Sequence, residues 1–209
     1  MNQRIRSIRN CMAAAGLMLS AMSAGAANYS TILTGQQEEP PNTSPAIGAS
    51  TIRFDPVAHI LEINVTFSGL IGEVYAAHIH CCTPTPGEGI AGVMTPIPNL
   101  SGFPQGVRSG VYTHTYDTSL ASSWSPSFLS SWGNSTAFAE AAFENGLNNG
   151  TAYFNIHTSY ASAGEVRGFY APAPAAAIPE PESMAMLGIG LPVLLMLARR
   201  RSKNSVKSK

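Results

Sequence analysis

One stretch of the chain alternates strictly. Leu61, Ile63, Val65 and Phe67 are apolar, while Glu62, Asn64, Thr66 and Ser68 between them are polar. A period of two puts all the apolar side chains on one face of an extended strand, which only a sheet with one buried face can use. The same rhythm runs through Ile52 and Phe54, and Asp55-Pro56 supplies a turn, so a hairpin is predicted between about Ala49 and Ser68, ended by Gly69. Further strands are predicted over Val74 to His80, Ser109 to Tyr116, Thr151 to Thr158 and Glu165 to Tyr170, with Asn28 to Thr34 as an edge strand. One helix is expected: Ser135 or Thr136 caps a segment whose Phe138, Ala141, Ala142 and Leu147 share a face, and Gly146 or Gly150 ends it. Thr118 to Trp132 is Ser-rich and reads as loop and short helical turns. The fold class this implies is all-β, an antiparallel immunoglobulin-like Greek-key sandwich or barrel with one short helix.

The 209 residues carry 12 basic and 12 acidic side chains, and only 11% of residues are charged. A broad basic surface for nucleic acid is therefore excluded, and so is a chain disordered throughout. The balance hides a sorting. Nine basic residues lie within the first ten and last eleven positions, whereas residues 27–178 hold Arg53, Arg108 and Arg167 against ten acids, a net of −7. An acidic body lies between two basic, apolar ends.

Residues 1–26 have the plan of a secretory signal peptide: Arg4, Arg6 and Arg9, an apolar run from Cys11 to Met22, then Ala24-Gly25-Ala26. A domain over residues 27–171 follows, then an Ala/Pro linker over 172–178 that favours extended chain. Residues 179–209 hold Pro179-Glu180-Pro181, an apolar run from Met184 to Ala198 and the cluster Arg199-Arg200-Arg201. This order resembles the PEP-CTERM sorting tail of Gram-negative bacteria. The resemblance implies an exosortase-type sorting enzyme as partner, a short transmembrane helix that inserts transiently or through the tail, and delivery to the cell surface or outside. It also implies company with exopolysaccharide, surface protein or biofilm matrix.

The strongest chemical pattern is Ala77-His78-Ile79-His80-Cys81-Cys82. Residues two apart on a strand point the same way, so His78 and His80 stand about 7 Å apart at the base, a spacing from which two imidazoles converge on Cu or Zn. His157 is a third candidate. If Phe154 and Ile156 face the core, Tyr153, Asn155 and His157 face the other way, and the three histidines meet if the two strands are neighbours. Either a metal or a hydrogen-bonded polar cluster fits this pattern. His59, near a turn, and His114, on another strand, are expected in solvent. Cys81 and Cys82 admit three readings: a thiolate ligand from Cys81, a vicinal disulfide, or two thiols at a strand end. Glu165 and Arg167 share a strand face as an ion pair, or Glu165 orients an imidazole from behind. Glu38 and Glu39, in Gly35-Gln36-Gln37-Glu38-Glu39-Pro40-Pro41, bind a cation, cover a sheet edge or lie in a solvated loop. The two long Pro/Gly-rich loops, Gly35 to Gly48 and Cys81 to Gly106, are of a length that marks functional or mobile segments.

Taken in order, Leu33-Thr34-Gly35, Glu39-Pro40-Pro41, Phe67-Ser68-Gly69-Leu70, Ala77-His78-Ile79-His80, Gly150 to Thr158 and Gly164-Glu165-Val166-Arg167-Gly168 resemble the chordin-type, or CHRD, domain. The match runs from about residue 28 to 171. The resemblance implies an immunoglobulin-like β fold in an exported protein, with no catalytic activity assigned; the Cys81-Cys82 pair departs from the general pattern. The resemblance, the export tail and the lack of a Gly-x-Ser-x-Gly, His-Glu-x-x-His or phosphate-binding loop together lead to the expectation of a non-catalytic binding or matrix module. The alternative is a Cu/Zn-binding sandwich, redox-active or not. Trp124 and Trp132 are candidates for stacking on sugars.

Overall fold

The computed structural model describes residues 26–173. The signal-peptide segment, the Pro179-Glu180-Pro181 motif and the apolar tail lie outside the described residues. Among the described residues, no helix is long and apolar enough to cross a membrane.

Eight strands form one antiparallel sheet that curls into a half-barrel, with two α-helices at one end of it. β1 (Ala27–Thr34), β2 (Ile47–Asp55), β3 (Ile60–Ser68) and β5 (Gly110–Asp117) make one half. β4 (Val74–His80), β6 (Tyr153–Thr158) and β7 (Val166–Phe169) make the other, and the two-residue β8 (Ala171–Pro172) returns to β1. The order across the sheet is β4-β6-β7-β1-β2-β3-β5.

The alternating segment behaves as its pattern demands. Leu61, Ile63, Val65 and Phe67 are buried, and β3 pairs with β2 from Ile47↔Ser68 to Asp55↔Ile60. Ile52, Phe54 and Leu33 join the same core from β2 and β1. Ala77, Ile79, Phe154, Ile156 and Val166 close it from β4, β6 and β7. β1 departs from expectation: it lies inside the sheet, paired with β2 along its length and with β7 and β8 on the other side. Its Ser- and Thr-rich outer face resembles an edge, but its backbone groups are used on both sides. Ala173 donates its N–H to the carbonyl of Asn28, so the two ends of the described chain leave side by side.

α1 (Pro126–Ser131) and α2 (Thr136–Asn148) lie at one end of the sheet, where α2 meets the start of β1, the β2–β3 turn and the chain just after β4. The Ser125 hydroxyl accepts from the N–H of Phe128, and the Ser135 hydroxyl from that of Phe138, each satisfying a donor that a helix start leaves free. Pro126 occupies the first turn of α1, where its missing N–H costs nothing. The buried face of α2 is Ala139, Glu140, Phe143, Gly146 and Leu147. It is turned from the predicted one: Leu147 is inside, but Phe138 is 66% exposed. The Phe143 ring meets Phe54 edge-on with centroids 5.2 Å apart, which fixes the rotation of the helix. Trp124 is buried on Phe128 and donates Nε1–H to the Thr118 carbonyl, so it belongs to the core and not to a sugar-binding surface.

Candidate metal centre

β4 and β6 are neighbours, with Ala76 opposite His157, His78 opposite Asn155 and His80 opposite Tyr153. Phe154 and Ile156 face the core. Alternation therefore places His78, His80, Asn155 and His157 together on the opposite face. One ring nitrogen from each of His78, His80 and His157 lies within 4.8 Å of the other two.

The Cys81–Gly106 loop and the short β6–β7 turn wrap this face, and their backbone holds each imidazole. His78 Nε2 lies 2.8 Å from the Pro98 carbonyl, His80 Nδ1 2.9 Å from that of Ala91, and His157 Nδ1 3.1 Å from that of Ser162. A carbonyl only accepts, so each of these nitrogens carries the proton. The other nitrogen of each ring then bears a lone pair. Of these, His78 Nδ1 and His80 Nε2 are buried without any hydrogen-bond partner. Burial drives the pKa of His78 and of His80 down to about 4, against the carbonyl bonds, and burial lowers that of His157 as well. All three rings are neutral near pH 7. Neutral imidazoles, each oriented by a backbone acceptor at the far nitrogen, are the form in which histidine binds a metal ion. The His80 ring also lies flat on Tyr153, with centroids 4.8 Å apart and planes within 3°.

Arg167 braces the loops around the cluster. It is buried, its Nε donates to the Gln37 carbonyl, and Nη1 donates to the Gly89 carbonyl at 2.9 Å. Its guanidinium carbon stands 5.1 Å from the Tyr153 ring centre. The carboxylates beside it are Glu38, at 3.8 Å and buried, and Glu39, at 3.7 Å and half-exposed. Burial pushes the Glu38 carboxyl up to about 7 although Arg167 pulls it down. The Gly35-to-Pro41 segment is thus pinned to β7, and Glu38 is no solvated loop residue.

Glu165 and Arg167 do not pair with each other. Glu165 precedes β7, after Gly164 with φ +139°, and its carboxylate turns into the loops. It accepts from the N–H groups of Ile71 (2.6 Å) and Gly72 (3.0 Å) and from the hydroxyls of Ser44 (2.7 Å) and Thr158 (2.6 Å). It orients no imidazole, since backbone carbonyls do that. A disulfide joins Cys81 to Cys82. Cys81 is therefore no thiolate, and its side chain lies with the core, on the face opposite the histidines. Both sulfurs pack against Gly146 of α2, where a Cβ would come within 2.5 Å of Cys81 Sγ and 2.7 Å of Cys82 Sγ.

The remaining histidines stand apart from the cluster. His59, with φ 58°, lies 2.9 Å from the buried Glu140 carboxylate, which also accepts from Thr118 Oγ1. That hydrogen bond and charge raise the His59 pKa, so this is an anchored pair and not a freely solvated ring. His114 packs half-buried between Tyr112 and Tyr116. The orienting carbonyls of Ala91, Pro98 and Ser162 escape sequence reasoning altogether, since every residue has a carbonyl.

The fold is all-β, a curled antiparallel sheet whose histidine-bearing face is covered by loops. The CHRD domain family model matches residues 29–170, and the chain belongs to that family. No curated protein and no solved structure matches it.

Proposed function

We propose that this CHRD domain is a non-catalytic binding module working outside the inner membrane, and that its ligand is one transition-metal ion held by His78, His80 and His157. The observation that carries this reading is the pair of orphaned buried nitrogens, His78 Nδ1 and His80 Nε2, beside the third imidazole. A buried acceptor without a partner costs about 1–3 kcal/mol. A polar cluster complete in itself would have no such atoms, whereas a cation satisfies all three lone pairs at once. Cu and Zn are the ions that imidazole donors suit.

The order of leader and sorting tail supports an exported setting, at the cell surface or in the extracellular matrix of a Gram-negative bacterium, with an exosortase-type enzyme as processing partner. The Cys81–Cys82 bond is of a kind that oxidising compartments permit. Replacing Pro179-Glu180-Pro181 tests this part: the variant should stay unprocessed in the membrane, and unchanged release and mass would refute it.

The metal reading is tested on untagged protein exported to a periplasm. Elemental analysis should find one equivalent of ion. Saturation at 100 times Kd adds about 2.7 kcal/mol of stability, or roughly 5–10 °C in Tm for a domain of this size. His78→Ala, His80→Ala and His157→Ala should each abolish the gain. No stoichiometric metal and no gain with Cu or Zn would overturn the reading.

A further inference from the structure

We propose that Glu38 and Asn155 form a proton-operated latch: at low pH Glu38 holds a proton on Oε1 and donates it to Asn155 Oδ1, and at high pH it releases that proton to solvent and leaves its carboxylate to Arg167. Such a latch needs no ion at the histidines.

Two acceptors lie together with no donor between them. Glu38 Oε1 and Asn155 Oδ1 are both buried without a hydrogen-bond partner, on residues only 4% and 3% exposed. Both press on one point. A Cβ at Gly164 would stand 2.6 Å from Glu38 Oε1 and 2.4 Å from Asn155 Oδ1, so the two oxygens are at most about 5 Å apart. The Asn155 amide is not free to turn round, because its Nδ2 donates to the Ala163 carbonyl at 3.3 Å. Turning it would set Oδ1 against that carbonyl, acceptor against acceptor. An ionised Glu38 would therefore meet an oxygen and keep an unsatisfied charge in a buried place. A proton on Oε1 turns one of the two acceptors into a donor and satisfies both.

Arg167 does not stand in for that proton. Its Nε donates to the Gln37 carbonyl and its Nη1 to the Gly89 carbonyl. Glu38 Oε2 stands off at 3.8 Å from Nε, beyond hydrogen-bond reach. An ionised carboxylate beside a buried guanidinium would draw direct, charge-assisted bonds from it. The charged and titratable groups around Glu38 are Arg167 on β7, Glu39 next in the chain and Tyr153 on β6, whose phenol burial pushes up and keeps neutral. Burial is the largest influence on Glu38 itself and raises its pKa to about 7, against the Arg167 charge and the backbone of Glu39.

The two states differ in what holds the Gly35-to-Pro41 segment. Asn155 lies on β6 between His78 of β4 and Arg167 of β7 in the strand register. With the proton on, the segment is fastened to β6 as well as to β7. With it off, β7 alone holds it, through Arg167.

The test compares untagged wild type with Glu38→Gln, both exported to a periplasm. Glutamine copies the protonated acid, because its NH₂ donates to Asn155 Oδ1 at every pH. Infrared spectra near pH 6 should show the C=O stretch of a protonated carboxylic acid in the wild type. That band should be absent from Glu38→Gln and should fade in the wild type as pH rises through about 7. The Asn155 side-chain amide signals in NMR should move with the same midpoint. Urea unfolding is a further readout. The folded pKa is raised above the unfolded value of about 4.3, so the stabilisation from Glu38 is complete below that value and is lost as pH rises through the folded one. Between these limits each pH unit should lower the folding equilibrium constant of wild type, relative to Glu38→Gln, by up to about tenfold. Three results would each overturn the latch: no protonated-acid band that Glu38→Gln removes, an Asn155 amide that ignores the titration, or a stability ratio that stays level across the window. A Glu38 ionised throughout and paired with Arg167 predicts all three.

Discussion

Glu165→Gln should be among the most damaging single substitutions in the domain. The native carboxylate is fully buried and accepts from two backbone N–H groups and two hydroxyls on three separate segments. Glutamine keeps the shape but presents an NH₂ to a pocket of donors. At least one donor loses its acceptor, and the others lose the assistance of charge. Charge-assisted bonds contribute about 1.5–3 kcal/mol each and an orphaned buried donor costs about 1–3 kcal/mol. The cost of burying the native charge offsets part of this sum. A net loss of about 3–5 kcal/mol is expected at pH 7, or roughly 10 °C in Tm. Urea denaturation with wild type and variant in parallel measures it. Its pH dependence is a second readout. Burial pushes the Glu165 pKa up, but the bonds from Thr158, Ser44, Ile71 and Gly72 outweigh that and leave it below the ordinary value. A carboxyl whose folded pKa is depressed contributes stability in full above its unfolded value, about 4.3, and loses it as pH falls through the folded value. The gap between wild type and variant should therefore narrow on the acid side of about pH 4.3. A loss under about 1 kcal/mol at pH 7, or a gap that does not narrow in acid, would refute the reasoning.

Arg167→Met should cost about 3–5 kcal/mol because it strands Glu38 and two carbonyls, and adding Glu38→Gln should recover part of it; absence of recovery in the double variant would uncouple the pair. His59 should titrate above its ordinary value of about 6.5 by NMR, and Glu140→Gln should bring it back down. Since that folded pKa is raised, the stabilisation from His59 is complete below about pH 6.5 and is lost as pH rises through the folded value; an unshifted His59 would sink this. Gly146→Ala should destabilise by about 1–3 kcal/mol through collision with the disulfide, despite the gain of up to about 1 kcal/mol that alanine brings to a helix. Urea midpoints decide the sign.

The parts of this molecule that were legible in its sequence are those set by local periodicity. Leu61 to Phe67 announced β3, and His78-Ile79-His80 put two imidazoles on one face. Even the facing of His157 followed from Phe154 and Ile156. That β4 and β6 lie side by side is a long-range pairing that no local pattern encodes. The pairing of Glu165 with Arg167 failed because Gly164 breaks the strand, so the two-residue rule does not reach Glu165. On α2, hydrophobicity favoured Phe138 for the buried face. The structure buries Glu140 instead, because His59 and Thr118 supply its partners from another part of the chain. Side-chain chemistry is written in the residue type, while partners brought from afar are not.

The adjacency of Asn28 and Ala173 has a consequence for how the domain is presented. Both ends of the domain emerge at one pole. Along β1, Asn28 is six residues from Thr34, which pairs with Arg167 at the level of Asn155 and His78. Six residues of strand span about 20 Å. A domain held through either end, as the proposed sorting tail would hold it, would carry the His78 row about 20 Å along the strands from that point. That separation is the same whichever end would carry a tether, while the His78 and His80 imidazoles themselves stay buried under the loops.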